Sequence, residues 1–174
     1  MPDVMDIILR APEPGDVDAM YLLENDPALW NDGVTFAPLS RKQLWDYVDT
    51  YDGNIFATGQ LRLVIETVTD GRFAGVIDLY DFDRINRRAY VGITVIKSMR
   101  GHGVGAAALR WLCQYAAEML DMNQLAAVVR EDNRPSVRLF ESNGFTVTGR
   151  FPAWIKRGDD WVDAVHMQRS LKSR

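Results

Sequence analysis

Apolar residues recur along this chain with two different periods, and the switches between them outline the elements. Residues 6–10 (D-I-I-L-R) predict a first strand, which Pro12, Pro14 and Gly15 break. Asp16 is placed to cap a helix that carries Val17, Met20, Tyr21 and Leu23 on one face. Residues 25–39 hold Pro27, Trp30, Gly33, Phe36 and Pro38 and read as a loop with apolar anchors. Ser40 predicts the cap of a second helix bearing Leu44, Trp45 and Val48, and residues 51–60 read as a loop. From Leu61 the period becomes two. Residues 61–66, 73–82 and 89–96 predict three strands of an antiparallel meander, with Thr69-Asp70-Gly71 as a hairpin turn and 83–88 as a polar connection. Helical spacing returns at 104–120, where Ala108, Leu112, Ala116 and Met119 form a stripe that Trp111 and Tyr115 widen. Residues 123–129 predict a strand parallel to 89–96 through a crossover. A short helix at 133–142 tolerates Pro135 in its first turn and ends at Asn143-Gly144. Two final strands, 145–151 and 161–167, flank a turn at Arg157-Gly158-Asp159.

This order predicts an α/β chain of the α+β type. A mixed, mostly antiparallel sheet of about six or seven strands is flanked by about four helices. The length of 174 residues predicts one domain spanning 1–174. A hydrophobic content of 47% beside 25% charged residues fits a soluble globular chain. No apolar run is long enough to predict a membrane span, and the N-terminus lacks a signal-peptide pattern. With a single cysteine, Cys113, no intramolecular disulfide forms, and the expected location is cytoplasmic. Cys113 itself reads as a small helical filler outside the centre of its stripe. Two histidines, His102 and His166, and one cysteine argue against a metal site. The net charge of −4 argues against nucleic acid as the main partner and suits a cationic small substrate.

The chemistry concentrates at residues 93–108 (I-T-V-I-K-S-M-R-G-H-G-V-G-A-A-A), where a strand runs through three alternating glycines into a helix. That layout turns backbone N–H groups toward an anion. A Walker A loop is excluded, because Gly105 is followed by Ala106-Ala107 rather than Lys-Ser/Thr. Gly103, Gly105 and Ala108 do match a dinucleotide fingerprint, but the meander before them lacks the helical crossovers of a Rossmann unit.

A third reading joins this loop to the C-terminal third of the chain. Arg100-Gly101-His102-Gly103-Val104-Gly105 resembles the R/Q-x-x-G-x-G/A signature of the GNAT superfamily of acyl-CoA-dependent N-acyltransferases. Residues 133–145 (N-R-P-S-V-R-L-F-E-S-N-G-F) resemble its second motif, and 160–167 its final strand. The resemblance covers essentially the whole chain. It implies acetyl-CoA in a V-shaped cleft between the strands ending at Ile96 and Val129. The pantetheine arm would pair with Ile93, Thr94 and Val95. The pyrophosphate would meet the N–H groups of Gly101, His102, Gly103, Val104, Gly105 and Ala106, with Arg100 adding charge. Asn133 and Ser136 would contact the cofactor, and no metal is implied.

The resemblance implies transfer of the acetyl group to a primary amine, in a ternary complex. The amine is either a small cationic one or a protein N-terminus. One position departs from the family pattern: Phe140 stands where a tyrosine acid is usual, which leaves it as a cofactor-packing wall. It also leaves an alternative, a catalytically weak acyl-CoA-binding sensor or scaffold. A thiolate of pKa about 8.5, by analogy with cysteine, leaves with little help, and Tyr90 could substitute as the acid. The stretch 78–81 looks most similar to the polyamine and ribosomal-protein branch. Asp81 is the preferred substrate contact or base and Asp78 the next. By alternation Asp78 shares a face with Tyr80, and Asp81 opposes them unless a bulge intervenes. Polyamine enzymes tend to carry glutamate where this chain has Tyr90, which weakens polyamine specificity. Glu24, Asp26, Trp30, Asp32 and Phe36 are read as an acceptor-side wall. GNAT proteins are often dimers, so a homodimer is expected from the resemblance.

Overall fold

The computed structural model describes residues 6–30 and 37–172, Trp30 by its backbone alone. Seven strands build one sheet: β1 Ile7–Arg10, β2 Leu61–Thr67, β3 Phe73–Asp83, β4 Arg88–Val95, β5 Gln124–Arg130, β6 Thr146–Arg157 and β7 Asp160–Ser170. Their spatial order is β1-β2-β3-β4-β5-β7-β6. Every pairing is antiparallel except β4 with β5. Six α-helices stand among the described residues: α1 Val17–Glu24, α2 Pro27–Trp30, α3 Arg41–Asp49, α4 Ile55–Thr58, α5 Val104–Glu118 and α6 Arg134–Ser142. The expected mixed α/β architecture is present.

Local signals explain most of the helix ends. Ser40 Oγ accepts from the Gln43 N–H at 3.1 Å, and the Gln43 side chain accepts from the Ser40 N–H at 2.8 Å, a reciprocal capping box. Asn133 caps α6 by accepting from the Ser136 N–H at 3.3 Å. Gly144 takes φ 81 just past the end of α6, the left-handed residue expected there.

Several readings need correction: 25–39 is not all loop, because Pro27–Trp30 form the single turn of α2, and β6 runs on to Arg157 instead of ending at 151. Asp16 does not cap α1 with its side chain; it closes a preceding 3₁₀ turn, Pro14–Asp16, and pairs with Arg10 at 2.7 Å. The segment 51–60 is not all loop, because Asn54 caps the single turn of α4. One turn is too short for periodicity to reveal. Met119 leaves the buried stripe and is 70% exposed, because it is the C-cap of α5 and the chain turns away there. Cys113 lies inside the core at 2% exposure rather than off its centre, although its role as a small filler stands.

The sheet is covered differently on its two faces. On one face Leu63, Ile65, Ile77, Leu79, Val91 and Val129 pack with Leu109 and Leu112 of α5 and Phe140 of α6. On the other, Val17 and Met20 of α1 pack with Leu44 and Val48 of α3. Alternation sends Asp78, Tyr80, Tyr90 and His166 to this second face, opposite α5.

The sheet is continuous only at one end of β4 and β5. Arg88, Ala89 and Tyr90 pair with Gln124, Leu125 and Ala126, and no pairing continues beyond them. Past Tyr90 the two strands separate, which opens the expected V.

Candidate active site

Ladder geometry shows what the open arm of the V presents. The Ile96 N–H bonds Ala74 O of β3 at 2.9 Å. In an antiparallel pair every second residue turns its backbone groups to the same neighbour. Thr94 and Ile96 therefore serve β3, whereas Ile93 and Val95 turn N–H and C=O into the gap. This suits an extended ligand that adds itself as a strand. Thr94, also expected there, has its backbone committed to β3. The Val95 carbonyl already accepts from Arg100 Nε at 2.9 Å, so the Arg100 side chain folds back over the cleft edge.

At the mouth of the V, α5 begins without a side-chain cap. Its first-turn N–H groups, on Val104, Gly105 and Ala106, have no intrahelical acceptor. Gly101 and Gly103 take φ 80 and 79, left-handed values that a Cβ opposes. Between them His102 is exposed, as expected of a residue whose backbone matters more than its ring. Val104 is buried in the core, so only its N–H is available. Gly105 lies within the first turn of α5, beside α6 and β4. A Cβ there would lie in ordinary contact with Leu139 at 3.4 Å and Val95 at 3.7 Å, so packing alone does not demand a glycine at this position. A helix N-terminus with free donors fits a pyrophosphate, and a gap with free strand groups fits a pantetheine amide. On both counts the residues fit acetyl-CoA.

Asn133 is occupied as the α6 cap, and Ser136 is half-buried beside it. Phe140 is 3% exposed and meets Phe145 edge-on with ring centroids 5.0 Å apart. It is a core residue first, which is why a phenyl ring without a hydroxyl is tolerated.

A polar cavity is built around the vertex. A register shift between Tyr80 and Asp83 makes the bulge that alternation left open. Asp81 sits in it at φ 50, beside Tyr80 and Tyr90 rather than opposed to them. Tyr80 and Tyr90 stack at 5.7 Å. Asp81, Asp83, Arg88, Tyr90, Gln124 and His166 line a cavity of about 260 Å³ here. Asp83 is taken by Arg88 at 3.1 Å. Asp81 has no ion pair among the described residues.

Asp78 is in a different situation. Arg62 Nε reaches Asp78 at 2.7 Å, and Arg62 also reaches Glu24 of α1 at 2.6 Å. Burial pushes the Asp78 carboxyl up, and the Arg62 guanidinium opposes that. The pair ties α1 to the sheet and leaves Asp78 less available as a base than Asp81. Glu24, read as part of an acceptor wall, belongs to the same clamp. Asp26 lines a second, apolar cavity of about 330 Å³ with Leu23, Leu29, Phe73, Ile96 and Arg100. The Trp30 side chain, Asp32 and Phe36 lie outside the described residues.

His166 is the member of this site that sequence reasoning missed. It lies on β7 opposite Val128 of β5, while Tyr90 of β4 pairs with Ala126, two residues away on the same face of β5. The usable signal was alternation, since Val165 and Met167 are buried and His166 faces the other way.

A helix end without a side-chain cap beside a sheet that parts at its centre, with a polar cavity at the vertex, fits an acetyl-CoA-dependent N-acetyltransferase. Residues 6–146 match the family described as "Acetyltransferase (GNAT) domain", and the chain belongs to that family. It is 26% identical to spermidine N(1)-acetyltransferase of Escherichia coli K12 over 172 residues, which covers 96% of this chain and 87% of that one. The putative ribosomal N-acetyltransferase YdaF of Bacillus subtilis is 36% identical over 81 residues, covering 47% of this chain and 44% of that one. In fold, a spermidine N-acetyltransferase from Vibrio cholerae, solved with CoA and spermine, superposes with a TM-score of 0.85. It is 21% identical and covered over 95% of each chain. Among the described residues no cluster could hold a metal ion, and no helix is long and apolar enough to cross a membrane.

Proposed function

We propose that this acetyltransferase acetylates a primary amine on a small cationic substrate of the polyamine type, by direct attack in a ternary complex. The observation that carries this reading is Asp81. A carboxylate without an ion-pair partner among the described residues stands on a bulge, at the vertex where donor and acceptor meet. It is the group that an ammonium seeks. The relatedness to spermidine N(1)-acetyltransferase supports the same substrate class.

Acetyl-CoA supplies an activated acetyl thioester when bound. Ile93 and Val95 would align its amide arm through their cleft-facing backbone groups. Gly101, Gly103 and the first turn of α5 would hold the pyrophosphate, with Arg100 at the edge. Asp81 would orient the amine and keep it cationic until it is seated. Phe140 offers no proton, and the leaving thiolate needs little. A cytoplasmic location and association into homodimers belong to the same reading.

The test is CoA release from acetyl-CoA across a panel of polyamines, amino acids and peptide N-termini. Release stimulated by polyamines is expected. Tight acetyl-CoA binding without stimulation by any amine would sink the reading in favour of a sensor. Asp81→Asn sharpens it, because asparagine tolerates the left-handed backbone that Asp81 adopts at φ 50. With the fold intact, kcat/KM for a diamine should fall about 10- to 100-fold, the scale of one lost charged hydrogen bond. An unchanged value would remove Asp81 from the acceptor site.

A further inference from the structure

Behind Tyr90 the structure holds a polar chain that neither the donor cleft nor Asp81 uses. His166 Nε2 lies 3.4 Å from the Tyr90 hydroxyl, and its Nδ1 lies 3.0 Å from Thr148 Oγ1. Thr148 is the extra residue of a second bulge, between Val147 and Gly149 of β6. Its hydroxyl donates to the His166 carbonyl at 3.3 Å. A hydroxyl has one proton, and with that proton directed at the carbonyl Thr148 accepts from the ring. That places the ring proton on Nδ1 and leaves Nε2 as an acceptor facing Tyr90. The ring is further held edge-on by Tyr90 and by Phe151, each with centroids 5.9 Å away. The cavity reaches Tyr90 and His166 together. A packed imidazole in one tautomer, aimed at a hydroxyl in the acceptor cavity, is a proton acceptor already oriented.

We propose that His166 takes the proton of the acceptor amine through the Tyr90 hydroxyl. This rests on the primary-amine reading above and deepens it. The ammonium gives a proton to the Tyr90 oxygen as the Tyr90 O–H passes its own to Nε2, so the imidazole becomes imidazolium. The freed amine forms the N–C bond to the acetyl carbon, and the C–S bond breaks. The second N–H proton goes to the departing sulfur, and the imidazolium returns its proton to solvent. Tyr90 is then the group that touches substrate, and His166 is a positioning residue that acts through it.

Burial lowers the His166 pKa from its ordinary 6.5, which keeps the ring neutral and able to accept near pH 7. The titratable and charged groups facing this region are Asp81, Asp83 and Tyr80 from β3 and Arg88 and Tyr90 from β4. Neighbouring β5 and β6 contribute the uncharged Gln124, Ala126 and Thr148.

As pH falls through the His166 pKa, below 6.5, the acceptor is lost and kcat/KM falls. The experiment compares wild type, His166→Gln, Tyr90→Phe and the double variant, as kcat/KM against pH with a diamine at saturating acetyl-CoA. His166→Gln should lose about 100-fold near pH 7.5 and lack the inflection below 6.5. Its rate should climb instead toward the free amine's pKa of about 10.4. The double variant should be no worse than either single one, because both break one chain. Acetyl-CoA affinity by calorimetry and the melting temperature should stay at wild-type values. A wild-type rate and profile in His166→Gln, or additive losses in the double variant, would overturn the proposal. NMR of the wild-type ring gives a readout free of turnover: the Nδ1–H tautomer is expected, and Nε2–H would refute the relay. Absence of amine turnover in wild type would refute the acceptor reading instead, and the tautomer would still decide the role of His166.

Discussion

Gly103→Glu should lower acetyl-CoA affinity by at least about 1,000-fold, whereas Gly103→Ala should retain most of it. Gly103 is the N-cap residue of α5, at φ 79, with no side chain closing the helix end. Any L-residue there meets the left-handed penalty of about 1–2 kcal/mol, and the alanine variant measures that alone. Glutamate adds a carboxylate at the positive end of the helix. The same macrodipole that attracts a pyrophosphate attracts this carboxylate, so the charge does not unfold the helix; it occupies the anion's seat. The like charges then repel the donor at short range. Calorimetric titration with acetyl-CoA reads the difference, and a glutamate variant that binds like the alanine variant would show that the donor does not meet the start of α5.

Arg62→Ala is expected to destabilise the fold by about 3–5 kcal/mol, the range for breaking a buried ion pair from one side. Arg62 bridges β2 to Asp78 on β3 and to Glu24 on α1, and all three side chains are at most a quarter exposed. Without the guanidinium two carboxylates face each other in a poorly hydrated space. For a chain of this size each kcal/mol moves the melting temperature by about 2–4 °C. Circular dichroism melts should therefore show a large drop. Adding Glu24→Gln and Asp78→Asn should recover part of it, because the stranded charges are what destabilise the single variant. If Arg62→Ala melts with wild type, the clamp does not hold α1 to the sheet.

Where a signal is local, the sequence carried it. The Ser40–Gln43 capping box, the Asn133 cap and the left-handed Gly144 each need only a few consecutive residues, and each is in place. The α5 stripe was legible through Ala116 because burial follows the helical period, and it failed at Met119, where the helix stops. The glycine loop was legible as a strand–turn–helix junction, but the neighbours of Gly105 were not. Its close neighbours Leu139 and Val95 come from α6 and β4, remote in sequence. Asp81 was ambiguous for a similar reason. Alternation assigns it one face, and only a bulge, set by the register against β4, turns it to the other.

The sequence alone determined the order of the strands and longer helices, the glycine loop and the family resemblance, because these rest on short-range periodicity and on motifs that are contiguous in the chain. Tertiary structure decided which side chains meet. Tyr90 and His166 come together because β7, the last strand in the chain, inserts beside β5, which sets His166 opposite Val128 and Tyr90 opposite Ala126 on one face. Asp78 and Asp81 have similar sequence surroundings but different partners: Arg62 reaches one from β2, and the other has no ion pair among the described residues. The V itself is a tertiary event, since nothing in β4 or β5 read singly says that their pairing stops after Tyr90 and Ala126. Strand pairing is a property of two segments, and its interruption opens the gap between β4 and β5.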